Sequence, residues 1–178
     1  MITITEALAE LKLIKAKIDK KLVFIASAAG RQEGAKDPFE KDGGAVKLIE
    51  ADLQAIADLM NRFVNIRSAI AAANAANSVA VCGISHTVAD WLVWRRDVAP
   101  MIKSVNKALV DRVAGIRGEA QKHGWSVVQV NNQPQTTTDV IINIDEKKLS
   151  DSIERTQEIL DSLDGKLSLH NATVSVEV

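Results

Sequence analysis

The chain has 178 residues, 47% of them hydrophobic, with 22 basic against 23 acidic side chains. Balanced charge excludes a general electrostatic pull toward nucleic acid or anionic membrane, and the single cysteine excludes an intrachain disulfide framework or a thiolate-cluster metal site. There is no Tyr, with only three Phe and three Trp beside abundant Ala, Leu, Ile and Val; this composition favours close helix packing over a ring-lined ligand cavity.

The first segment opens Met-Ile-Thr-Ile-Thr-Glu, without a positive n-region, so no signal peptide is expected. Thr3 and Glu6 have the spacing of a capping box, and Leu8, Leu11, Ile14, Ile18, Leu22 and Ile25 form a helical stripe over about residues 4–29. Lys12, Lys15, Lys17, Lys20 and Lys21 mark its flanks and read as a solvated face rather than a phosphate site. Residues 31–44, broken by Pro38 and three glycines, form a loop long enough to turn the chain back.

The clearest stripe follows: Val46, Ile49, Leu53, Ile56, Met60 and Phe63, within a helix over about 45–75. Leu59, Ile66 and Ile70 form a second stripe on the same helix, so it is expected to touch more than one partner. The segment 78–86 alternates around Gly83 and reads as a short extended connection, with Cys82 a small buried apolar group rather than a nucleophile.

Thr87 caps a third helix over about 87–120, with an apolar face of Trp91, Val98, Ile102, Val105, Leu109 and Ile116. Pro100 lies inside that pattern and predicts a kink near Val98 and Ala99. Trp91, Trp94, Arg95, Arg96 and Asp97 are the candidate interface or ligand residues, since aromatic plus arginine is the composition of an interface hot spot or a base-stacking site. The plainer alternative is one core Trp, one half-exposed Trp, and arginines paired to acidic neighbours.

Beyond Gly124 the period changes to two. Trp125–Val130 and Asp139–Ile144, around a polar loop with Pro134, predict an inserted β-hairpin over about 125–144. Leu149, Ile153, Thr156, Leu160, Leu163 and Leu167 mark a last helix over about 145–169 that continues through Gly165. The alternating tail from Asn171 to Val178 predicts a short C-terminal strand, placed beside residues 79–84.

Two segments carry a family resemblance. Asn74 through Asp97, with Val79-x-Val81-x-Gly83, Thr87-Val88-Ala89 and Arg95-Arg96-Asp97, is similar to the central motif of a group of small bacterial helical proteins, in places labelled septicolysin-like. Leu160-x-x-Leu163-Asp164-x-Lys166-Leu167-x-x-x-Asn171-x-Thr173 resembles that family's C-terminal signature. The chain departs from it in a less charged second helix and in Ala172, where the family commonly has Trp. The resemblance implies a helical coiled-coil fold and no particular activity; it also leaves a virion role open.

The expected fold is mainly α: an antiparallel long-helix bundle or coiled coil over residues 1–178, with an inserted β-hairpin and a short C-terminal strand. His86, His123 and His170 lie far apart, and Cys82, His86 and Asp90 sit on different kinds of element, so no catalytic, cofactor or metal site is expected. No apolar run approaches the roughly 18 residues of a membrane span. The expected function is that of a non-enzymatic, cytoplasmic assembly or interaction protein whose partner is itself, in a homo-oligomer, or another protein. Alternatives are a phage virion component and a small-ligand or nucleotide binder at a subunit interface, with nucleic acid unlikely.

Overall fold

A computed structural model describes residues 1–129 and 139–178. The fold is mainly α, with three small two-stranded sheets among the described residues. The chain divides into two compact units, Met1–Asn77 with Ser168–Val178, and Ser78–Leu167.

In the first unit, strand β1 (Ile2–Thr3) leads into α1 (Ile4–Ala28), and a loop leads to α2 (Ala45–Ala76). The expected capping box is formed: Glu6 N donates to Thr3 Oγ1 at 3.2 Å, and Thr3 N donates to Glu6 Oε2 at 2.7 Å. Each bond satisfies a backbone donor that the first helical turn leaves free. At its other end the loop folds Phe39 against Phe24, with ring centroids 5.4 Å apart. Gly43 and Gly44 follow with φ of 97° and 91°, a conformation side chains oppose. The Asp37 carboxylate accepts from Phe39 N and Ala45 N at 2.8 and 2.9 Å, supplying the cap that Gly44 lacks.

Helices α1 and α2 are antiparallel. Lys21 pairs with Asp52 at 2.5 Å and Glu10 with Arg62 at 2.7 Å, so later residues of one helix meet earlier residues of the other. Ile4, Ala7, Leu11 and Ile14 are buried on α1, against Ile66 and Ile70 of α2. Leu59 and Phe63 pack on this core, and Ile56 is buried farther along α2.

The stripe from Val46 to Phe63 is thereby split. Ile49, Ile56 and Phe63 turn inward with the second stripe, whereas Val46, Leu53 and Met60 stay 72%, 52% and 53% exposed. Asp52 takes the inward position that Leu53 was expected to hold, and Lys21 lies opposite and pairs with it. Leu22 is 49% exposed, while its neighbour Lys21 is part-buried in the seam.

The C-terminal strand β6 (Ser175–Val176) exists as expected, but its partner is β1, with Ile2 opposite Val176 and Thr3 opposite Ser175. Ile4 N donates to Val174 O at 3.0 Å, and Val176 is buried in the α1/α2 core. Pairing with the chain start buries the tail's apolar alternation, which a place beside residues 79–84 does not do. Within this unit His170 is 5% exposed, its Nε2 lying 3.1 Å from Asn74 Oδ1. Since that oxygen only accepts, Nε2 carries the proton.

The second unit opens with a hairpin where a single extended connection was expected. Strands β2 (Ser78–Val81) and β3 (Ile84–Thr87) are antiparallel and joined by Cys82 and Gly83. Both turn residues have positive φ, 48° and 79°, the geometry of a type I′ turn, which matches strand twist. Cys82 is therefore exposed at a hairpin tip, not buried.

Thr87 caps α3 (Val88–Val93) as expected, accepting from Asp90 N at 3.0 Å. The kink expected near Pro100 is a π-helical turn, Trp94–Val98, leading into α4 (Ala99–His123). Pro100 has no N–H for the carbonyl four residues back, and its ring crowds that turn. The chain widens instead, and Ala99 N bonds to Trp94 O.

The extra residue in this turn resets the helix register. From Ala99 onward the inward line is Ala99, Asn106, Val113 and Ala120, each seven residues apart, with Ile102, Leu109 and Ile116 half-buried between them. Val98 and Val105, expected inside, are 37% and 59% exposed. An Asn and two Ala hid this line in the sequence.

Helix α5 (Glu146–Thr173) runs through Gly165 as expected and is antiparallel to α4. Lys103 bonds Gln157 at 3.1 Å, Asn106 bonds Ser152 at 3.3 Å, and Arg117 pairs with Glu146 at 2.6 Å. Leu149, Thr156, Ile159, Leu163 and Leu167 are buried, while Ile153 is 41% exposed.

The two late strands, β4 (Val127–Gln129) and β5 (Val140–Ile142), pair with each other but in parallel, Val127 opposite Val140. Strands of a hairpin run antiparallel, so this parallel pair is not the expected hairpin. The expected tip, Asn131–Thr138 with Pro134, lies outside the described residues.

Candidate functional site

The Trp–Arg segment sits on α3 and the π turn of the second unit. Trp91 is 2% exposed and packs in a cluster with Val81, Val88, Ile159, Leu163 and Leu167. Its indole Nε1 donates to Val79 O at 3.0 Å, fastening α3 to the β2–β3 hairpin. The rings of His86 and Trp94 meet it edge to face at 5.2 and 5.7 Å. Such contacts add to burial and fix ring orientation. Trp94 is half-buried and forms the outer edge of this cluster.

Both arginines have acidic partners. Arg95 pairs with Asp164 on α5 at 2.9 Å, and Arg96 grips Asp97 through Nε and Nη2 at 2.8–3.2 Å. The Arg96 hydrogen bonds hold the Asp97 carboxyl below the usual carboxylate range. Part of each guanidinium's donor set is thus engaged by a carboxylate. The five residues are thus adjacent, but Trp91 is core, and only Trp94, Arg95, Arg96 and Asp97 reach the surface.

The remaining chemistry-bearing residues are dispersed. Asp90 accepts from Thr87 Oγ1 at 2.6 Å, His86 lies on Trp91, and Cys82 stands on its turn, so their sequence proximity builds no nucleophile–base pair. His123 stacks on Trp125 at 4.5 Å. Among the described residues no group of three or more His, Cys, Asp or Glu is placed to hold a metal ion. No described helix is long and apolar enough to cross a membrane.

Two surfaces were not legible from composition. A groove of about 360 Å³ runs between α4 and α5, lined by Val110, Val113, Leu149 and Ile153 with Arg117 and Glu146 at its end. The outer face of α2 exposes Val46, Leu53, Met60 and Val64, each more than half accessible. The seven-residue spacing of the first three is visible in the sequence, but nothing there separates an outward line from an inward one. No protein-family model matches the chain, and no curated protein or solved structure is detectably similar to it.

Proposed function

We propose that the chain is a non-enzymatic assembly protein that acts as a homo-oligomer. The observation that carries this reading is the outer face of α2, where Val46, Leu53, Met60 and Val64 remain 52–72% exposed although α2 already has a complete seam against α1. Exposed apolar side chains scattered singly are ordinary; a line of them along one helix marks an association surface. Met101 and Val105 on α4, at 66% and 59%, add to the apolar surface the chain leaves uncovered.

The paired state of Arg95 and Arg96 favours assembly over nucleotide binding, because their charge is already satisfied. A lone exposed thiol at Cys82 suits a reducing compartment, and the proposed setting is the cytoplasm. Sedimentation or light scattering at micromolar concentration tests the reading. A multimer mass supports it, and a clean monomer overturns it.

A further inference from the structure

The outer face of α2 has more order than its exposed apolar residues alone. Glu50, Ala57, Arg67 and Ala71 are exposed beside Val46, Leu53, Met60 and Val64, and together these residues step by alternating fours and threes from 46 to 71. That is a second coiled-coil seam on one helix, extending about 38 Å at 1.5 Å per residue.

Its contents are self-complementary about a point between residues 58 and 59. Reversing the helix there places Leu53 opposite Val64, Ala57 opposite Met60, and Val46 opposite Ala71. It also places Glu50 opposite Arg67, and the two-fold operation makes that pair twice. Glu50 and Arg67 have no ion pair or hydrogen bond within the chain among the described residues. Parallel pairing in register would instead set Glu50 against Glu50 and Arg67 against Arg67. Like charges in contact oppose association, and opposite charges select the antiparallel register.

We infer that α2 of one copy docks antiparallel on α2 of a second copy, in an isologous dimer whose register is set by reciprocal Glu50–Arg67 pairs. This rests on the homo-oligomer reading and names its surface. Closed two-fold symmetry needs one such patch per chain, used by both copies.

Sedimentation velocity over a concentration series tests it on the full chain, with Glu50→Arg, Arg67→Glu and the double exchange. Both sites are on the surface, and circular dichroism checks that each variant is folded. The expected result is a dimer for the unaltered chain, at least tenfold weaker association for either single reversal, and recovery in the double exchange. An oligomer insensitive to the single reversals overturns this surface while leaving homo-oligomeric function standing. Weakening without recovery in the double exchange overturns the antiparallel register. A monomer throughout overturns the oligomer reading and this surface together.

Discussion

Trp91→Phe separates a core role for the Trp–Arg segment from a surface one. The indole is 2% exposed, and its Nε1 donates to Val79 O at 3.0 Å. Phe removes that donor, a loss of about 1 kcal/mol for a neutral hydrogen bond. It also vacates part of the space between Val88 and Leu163, for about 1–2 kcal/mol in lost burial and residual cavity. The sum is about 2–3 kcal/mol. For a unit of this size each kcal/mol lowers Tm by about 4–8 °C, so a fall of roughly 10–20 °C is expected. All three tryptophans lie in the second unit, so intrinsic fluorescence during heating reports that unit alone. Trp94→Phe, at the half-buried outer edge, is expected to cost under about 1 kcal/mol. A fall of less than about 3 °C for Trp91→Phe, or a larger one for Trp94→Phe, refutes the assignment of Trp91 as the anchor.

Two further outcomes follow from buried polar groups. Burial pushes the His170 imidazole below its ordinary value of 6.5, so the unfolded chain takes up its proton first as pH falls. Stability of the first unit is then full above about pH 6.5 and declines from there toward the lowered folded value, at no more than about 1.4 kcal/mol per pH unit. His170→Gln should flatten that stretch of a urea-midpoint profile, and an unchanged slope would assign it to other groups. Asn106 is 7% exposed in the α4/α5 seam and makes a single long side-chain bond to Ser152. Asn106→Leu should raise the second unit's Tm by about one kcal/mol's worth, roughly 4–8 °C, by replacing an under-bonded amide with an apolar side chain of similar size. A lower Tm would show that the amide contributes more than its contacts account for.

Much of the architecture is legible in the amino-acid sequence. The helices, the Thr3–Glu6 and Thr87 caps, the passage through Gly165 and the break near Pro100 all arise from interactions within a few residues. Capping and periodicity are local, so one sequence carries them. Which stripe faces inward is not local. On α2 the heptad with Leu53 and the heptad with Asp52 are both well spaced; the one with Asp52 packs on the buried face of α1, where Lys21 pairs with that carboxylate. On α4 the π turn shifts register by one residue, turning Val98 and Val105 outward and Asn106 inward.

The candidate site divides along the same line. Aromatic and arginine content singled out residues 91–97, and the chain itself determined that they would be adjacent. Only tertiary structure decided that Trp91 is an anchor bonded to Val79, that Arg95 finds Asp164, and that Cys82 stands at the tip of a tight hairpin. The sequence alone determined that α2 bears two apolar lines. The fold determined which of them α1 covers, and so which is left open to a second chain. The physical reason is that a helix sets the angle between its side chains by backbone geometry, but which side is buried is set by the partner it meets.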